Sequence, residues 1–164
     1  MSGVAAGRTL HRVGLISDTH GLLRPDVFEA LAGVELILHA GDVGEDDILD
    51  ELSTIAPVHA VYGNTDAPRR RLAKEIVREI CGISIHVSHG HETGSPTPDK
   101  LLARYPQDVL VYGHTHRSLV ARAEGRLVVN PGAAGPRRFD LLPSVGRLTI
   151  ADGAADVEIV ALQP

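Results

Sequence analysis

The sequence predicts an α/β fold in which two sheets pack face to face with helices outside. Three observations lead there. Short apolar, β-branched runs recur through the first two thirds of the chain with helix-length stretches between them. From Ser118 onward the pattern changes to strand, turn, strand with no helix. The 164-residue length is that of one domain, 1–164, long enough to bury roughly 70% of the surface it exposes unfolded.

Strands are expected at 12–18 (RVGLISD), 35–40 (ELILHA), 58–62 (VHAVY), 75–80, 83–88 (ISIHVS) and 108–112 (DVLVY). Helices fit 25–33, with Pro25 in the first turn, then 45–54 and 97–105, where Thr97-Pro98-Asp99 offers a cap followed by a first-turn proline. Alternating strands and helices argue for parallel pairing. The last third reads SLVARAE, Gly125, RLVVN, the loop PGAAGPRRFDLLP, then a hairpin turning at ADGAAD. These strands are expected to form a second, mainly antiparallel sheet packed on the first. Residues 1–11 read as a disordered N-terminal extension.

Composition narrows the function classes. Hydrophobic residues at 43%, charged residues at 23% and a net charge of -5 fit a water-soluble protein without the basic footprint of a general nucleic-acid binder. The single cysteine, Cys81, excludes an intrachain disulfide, and with neither a signal-like stretch nor a run of about 18 apolar residues the expected location is the cytoplasm, away from membranes.

Five apolar runs end in metal-competent side chains. GLISDTH supplies Asp18 and His20, LILHAGD supplies Asp42, HAVYGN supplies Asn64, IHVSHGH supplies His89 and His91, and VLVYGHTH supplies His114 and His116. In open α/β sheets the ligand site lies at the carboxyl ends of the strands, so these groups should gather at one edge. In an extended segment residues two apart point the same way about 6.6 Å apart, which lets Asp18 and His20 converge on one ion. Carboxylate, carboxamide and imidazole without thiolate suit Mn, Fe or Zn in a reactive site better than a structural zinc. Two divalent ions against Asp18 and Asp42 leave a surplus of about two positive charges, which attracts an anion such as phosphate.

In this order the motifs Asp18-Thr19-His20, Gly41-Asp42, Gly63-Asn64-Thr65-Asp66, His89 and Gly113-His114-Thr115-His116 resemble the calcineurin-like metallophosphoesterase superfamily. The SHGH ending and Asn130-Pro131-Gly132 look most like its small bacterial and archaeal phosphodiesterases. The resemblance implies a four-layer α/β/β/α sandwich of two packed mixed sheets with outer helices. It implies that Asp18, His20 and His116 hold one metal, Asn64, His89 and His114 a second, and that Asp42 bridges both. The cofactors implied are two divalent ions, Mn²⁺ first with Ni²⁺, Fe²⁺ or Zn²⁺ as alternatives, and a hydroxide between them as the nucleophile for in-line attack on phosphorus.

One position departs from the family pattern. Many members carry a histidine after Gly-Asn that protonates the leaving group, whereas this chain has Thr65. General-acid help is typically worth 10²–10⁴-fold, and His91 is the candidate substitute. The replacement favours good leaving groups and small phosphodiesters over monoesters. Thr65, Asp66, His39 and Arg137 are read as lying behind the ligands or on the substrate side. Arg69-Arg70-Arg71 and Arg137-Arg138 are two basic clusters available to an anion, and His11, His59 and His86 read as structural or solvent-facing.

Two other readings compete. The eukaryotic retromer subunit resembles these enzymes but serves as a scaffold, although a retired site is free to lose its histidines and all seven ligand positions here are filled. A nuclease is disfavoured by 3% aromatic residues and no tryptophan, which leave little to stack on single strands. A homo-oligomer is left open.

Overall fold

The computed structural model describes residues 10–138 and 140–164. Most of the expected 1–11 extension therefore lies outside the described residues, and Leu10 and His11 already belong to the first strand.

The chain folds as β1 (Leu10–Ile16), α1 (Val27–Ala30), β2 (Leu36–His39), α2 (Asp46–Leu52), β3 (Val58–Val61), β4 (Leu72–Ala73), β5 (Ile76–Ile80), β6 (Ile83–Val87), a 3₁₀ turn (His91–Thr93), α3 (Pro98–Arg104), β7 (Val109–Val111), β8 (Leu119–Ala123), β9 (Arg126–Asn130), β10 (Ser144–Ala151) and β11 (Ala154–Ala161). One sheet runs β11-β10-β1-β2-β3-β4 and the other β5-β6-β7-β9-β8. β1, β2, β3 and β4 are parallel to their neighbours in that series, as are β6, β7 and β9 in the other sheet, so both sheets are mixed.

Three apolar clusters define the four layers. Val13, Leu15, Leu38, Ile85, Val111, Val129 and Ile150 interdigitate between the sheets. Ile16, Val27, Leu31, Ile37, Ile48 and Leu52 join α1 and α2 to the outer face of the first sheet. Leu101 of α3 meets Leu110, Tyr112 and Val128 on the outer face of the second. β7 is buried along its whole length, as expected of a strand covered on both faces. The architecture is thus the α/β/β/α sandwich.

Several elements differ from expectation. The last third does not form a sheet of its own: β8 and β9 join β5–β7, while the β10–β11 hairpin returns to the first sheet and pairs antiparallel with β1. The cause is burial. Val145, Leu148 and Ile150 of β10 are inaccessible to solvent and fill core on either side of the first sheet. The helix expected over 25–33 is a single turn whose Asp26 makes no side-chain cap bond, so Pro25 precedes it rather than opening it. By contrast Thr97 Oγ1 accepts the Lys100 N–H and Pro98 opens α3. The β5–β6, β8–β9 and β10–β11 hairpins turn at Cys81-Gly82, Glu124-Gly125 and Asp152-Gly153, all with positive φ, the backbone whose twist matches that of paired strands. Among the described residues no helix is long and apolar enough to cross a membrane.

Candidate metal centre

The loops that follow β1, β2, β3, β6 and β7 meet at one edge of the sandwich and bring together Asp18, His20, Asp42, Asn64, His89, His114 and His116. Around Asp18 Oδ1 stand His116 Nε2 at 3.3 Å, His20 Nε2 at 3.7 Å and His89 Nε2 at 3.9 Å. His20 Nε2 and His116 Nε2 are 3.4 Å apart. Asp42 Oδ2 lies 3.2 Å from His89 Nε2 and 3.7 Å from His20 Nε2, which puts it between two groups of donors. On the far side Asn64 Oδ1 is 3.0 Å from His89 Nε2 and 3.1 Å from His114 Nδ1. Ligands about 2.1 Å from one ion sit about 3.0–3.4 Å from each other in octahedral or tetrahedral arrangement. The distances here fall at or slightly beyond that range.

The two nearest sets, Asp18 with His20 and His116, and Asp18 with Asp42 and His89, each have ligand atoms within 4.8 Å of one another. Asp18 is completely buried and its Oδ1 has no hydrogen-bond partner. A buried carboxylate oxygen left in this state and surrounded by imidazoles is the acceptor a cation would satisfy. The donor set therefore fits divalent metal ions.

The convergence is not produced by strand alternation. Asp18 (φ 55°), His20 (φ 46°), Asp42 (φ 56°), His114 (φ 73°) and His116 (φ 64°) all adopt left-handed backbone beyond the strand ends. Such residues cost about 1–2 kcal/mol each, least for Asp, Asn and His. Hydrogen bonds hold them there: Asp18 N–H donates to Gly41 C=O and His20 N–H to Asp42 C=O, each at 2.9 Å. Strain concentrated on five polar side chains at one edge is the pattern of a functional site. Gly113 is needed for close approach, since a Cβ there would meet Ser17 Oγ and lie 2.6 Å from Asp18 Oδ2.

Charge and protonation follow from these contacts. Burial opposes the charge on Asp18, but the imidazoles of His116 and His20 hold its carboxyl well below the usual range. Asp42 is likewise opposed by burial and, through His89 and the Thr65 N–H, held at about 2. Asp18 raises His20, and Asp42 raises His89 against the effect of burial, whereas burial lowers His114. His89 Nδ1 lies 2.8 Å from Ala40 C=O, the contact that commits Nε2 to the site.

Other expected residues surround this centre. His39 is buried and lowered by burial to about 4, so it is neutral. Its Nδ1 accepts the Gly41 N–H at 3.1 Å, and its Nε2–H donates to Thr19 Oγ1 at 3.0 Å, that hydroxyl donating onward to Val43 C=O. Asp66 accepts N–H groups from Val43, Gly44 and Gly63 at 3.0–3.1 Å, clamping the β2 and β3 loops together. Thr65 is exposed and offers its backbone N–H to Asp42 Oδ1. His91 lies beside the centre, its ring 5.4 Å from His89 and 6.4 Å from His114, with Nδ1 buried and unpartnered.

The basic clusters divide. Arg69 is bound to Asp46 Oδ1 and Gly44 C=O, each at 2.7 Å, and Arg71 to Asp50 Oδ1 at 2.8 Å, so both brace α2 instead of facing the centre. Arg137 and Arg138 are exposed. The positive charge of Arg138 is felt at His20.

Three supporting residues went unrecognised in the sequence. Ser17 Oγ donates to Asp18 Oδ2 at 2.6 Å. Asn130 donates to Gly113 C=O and Thr115 Oγ1 and accepts the Gly132 N–H, which braces the turn carrying His114 and His116. Glu92 closes the turn that follows His89. The sequence places Asn130 at the end of the strand RLVVN, within the Asn-Pro-Gly run; nothing local marks the other two.

A four-layer α/β/β/α sandwich with carboxylate, carboxamide and imidazole donors at the carboxyl edge of its strands is the arrangement of the metallophosphoesterase class. The chain belongs to the calcineurin-like phosphoesterase superfamily, whose domain model matches residues 12–153. A probable metallophosphoesterase of Methanothermobacter thermautotrophicus is 39% identical over 165 residues, covering 90% of this chain and 91% of its own. Among solved structures, a novel archaeal phosphodiesterase superposes with TM-score 0.75 at 25% identity, over 92% of this chain and 99% of that one. Vacuolar Protein Sorting 29 of Cryptosporidium parvum does so with TM-score 0.78 at 25% identity, over 94% and 99%.

Proposed function

We propose that this chain is a two-metal hydrolase of small phosphodiesters, with Mn²⁺ as the favoured ion, working in the cytoplasm. The observation that carries the reading is the buried, unpartnered Asp18 Oδ1 ringed by three imidazoles, with a second donor group across Asp42. Asp18, His20 and His116 would hold one ion, Asn64, His89 and His114 the other, and Asp42 both. Ions held there supply Lewis acidity and lower the pKa of water enough for it to attack phosphorus at neutral pH.

The protein's own residues account for the rest. His39 and Ala40 C=O orient ligand-bearing segments, and Ser17 and the His114 N–H fix Asp18 Oδ2, leaving Oδ1 for the metal. Thr65 has no acidic proton to give a departing alkoxide, so His91, flanking His89 and His114, is the proton donor in this reading. Without an imidazole at position 65, good leaving groups are favoured, and diesters over monoesters.

The likeness to Vacuolar Protein Sorting 29 supports a second reading as a non-catalytic scaffold. Retention of all seven donors favours the hydrolase. One experiment separates them: the protein is incubated with Mn²⁺, exhaustively washed, analysed for metal, and assayed on an activated aryl phosphodiester and the matching monoester. Two ions per chain and faster diester hydrolysis are expected. Equal or faster monoester hydrolysis sinks the substrate preference, and no bound ion with no turnover leaves the scaffold.

A further inference from the structure

The segment after β6 carries His89 and, two residues on, His91, and a single carboxylate closes the turn between them. Gly90 has φ 100° and leads into the 3₁₀ turn His91–Thr93. Glu92 Oε1 accepts the Gly90 N–H at 2.9 Å, and Oε2 accepts the Tyr105 hydroxyl at 2.7 Å. Tyr105 ends α3 and stacks on the buried His86 of β6, ring centroids 3.7 Å apart and 22° from parallel. His86 in turn meets Glu75 at 2.8 Å. Glu92 thus stands where the donor-bearing loop, α3 and the stacked ring of β6 cross.

Behind His91 these side chains enclose a small cavity of about 40 Å³, lined by Tyr62, Lys74, Glu75, His91, Glu92 and Tyr105. That is room for one or a few water molecules and not for a substrate arm. Burial, and then the bond to Glu92, push the Tyr105 hydroxyl up to about 12, while burial opposes the charge on Glu92 and its bond from Tyr105 helps hold that carboxyl below its usual range.

We propose that Glu92 is a positioning residue for the reaction: by accepting the Gly90 N–H and the Tyr105 hydroxyl together, its carboxylate sets where the His91 ring stands beside His89 and His114. The inference rests on the reading above that His91 serves the chemistry. A carboxylate suits the place because both donors point at oxygens. Glutamine keeps the Gly90 N–H on its amide oxygen but turns its N–H toward Tyr105, whose hydroxyl must then accept, so a charge-assisted bond becomes a neutral one, and alanine satisfies neither.

The test uses the full chain loaded with Mn²⁺ and reads kcat on sn-glycero-3-phosphoethanolamine, a diester whose departing alkoxide needs a proton, with bis-p-nitrophenyl phosphate confirming turnover. Residues that orient first-contact groups typically cost 10–100-fold when removed. Glu92→Ala is accordingly expected to lower kcat about 10–100-fold with KM little changed, Glu92→Gln to lower it less, and Tyr105→Phe, which keeps the ring on His86, to fall between wild type and Glu92→Ala. In a His91→Ala background Glu92→Ala should add almost nothing, because the two act as a unit. A merely structural Glu92 would lower thermal stability and multiply fully with His91→Ala. Full multiplication, or unchanged kcat in both Glu92→Ala and Tyr105→Phe, overturns the inference while His91→Ala remains slow. If His91→Ala turns over like wild type, the reading of His91 falls and this inference with it. If wild type binds no ion and hydrolyses nothing, the function itself is wrong.

Discussion

Loading the centre with Mn²⁺ should release protons, because Asp18 and Asp42 favour the protonated forms of His20 and His89, whose Nε2 atoms face it. His89 Nδ1 is committed to Ala40 C=O, so the proton an ion must displace is on Nε2, which sits 3.2 Å from Asp42 Oδ2. Both imidazoles have pKa values raised above 6.5, His20 by Asp18 and His89 by Asp42 against the opposing effect of burial. For each proton displaced, the apparent Kd rises about tenfold for every pH unit that pH drops below the folded pKa. At an ion concentration of 100 Kd one site contributes about 2.7 kcal/mol of stability, or roughly 5–10 °C in Tm for a domain of this size. One pH unit lower, that contribution shrinks by about 1.4 kcal/mol.

In the metal-free protein the two raised imidazoles respond to pH in the opposite sense. A raised imidazole contributes stability that is fully present below pH 6.5 and is lost as pH rises through the folded value. Asp42, held at about 2, contributes stability present above 3.8 and lost only as pH falls toward 2, so it does not titrate in the working window. Between pH 6 and pH 8 the gain from Mn²⁺ should therefore grow, while the Tm in chelator reflects His20 and His89, which lose stability as pH rises, against His39 and His114, which burial lowers and which gain it. Scanning calorimetry follows both, and titration calorimetry in buffers of different ionisation enthalpy counts the protons. Zero net proton release together with a pH-independent gain would refute the protonation scheme.

Two further outcomes follow from individual residues. His116→Ala should cost mainly the ion shared with Asp18 and His20, and His114→Ala mainly the ion shared with Asn64 and His89, so that metal analysis finds about one ion retained in each; equal loss of both ions from either variant contradicts the two-group arrangement. Asn130→Ala leaves the buried Gly132 N–H without its partner and takes one of two bonds from Gly113 C=O, which keeps the Thr115 N–H, and should cost about 2 kcal/mol, seen as a Tm lower by roughly 4–8 °C; a change under 1 °C would show that the Asn130 brace is dispensable.

Much of the centre was legible because its donors are polar residues interrupting apolar strands. VLVYG followed by His114 and His116, or LILHAG followed by Asp42, stands out in any reading of local pattern. Asp66 and His39 were recognised as supporting groups for the same reason: each sits within a few residues of a ligand. Glu92 and Ser17 were not, since a glutamate in a loop and a serine at a strand end are ordinary until their partners, Tyr105 and Asp18, are seen beside them.

The sequence by itself determined the strand runs, the order of the donors and the chemical class of the site, because periodicity and residue type are local properties. Tertiary structure alone decided that the β10–β11 hairpin lies beside β1 and that the donors converge through left-handed backbone. Both are settled by non-local terms. Val145, Leu148 and Ile150 are buried only when β10 lies on β1, and the strained φ values of Asp18, His20 and Asp42 persist only because hydrogen bonds between the β1 and β2 loops hold them.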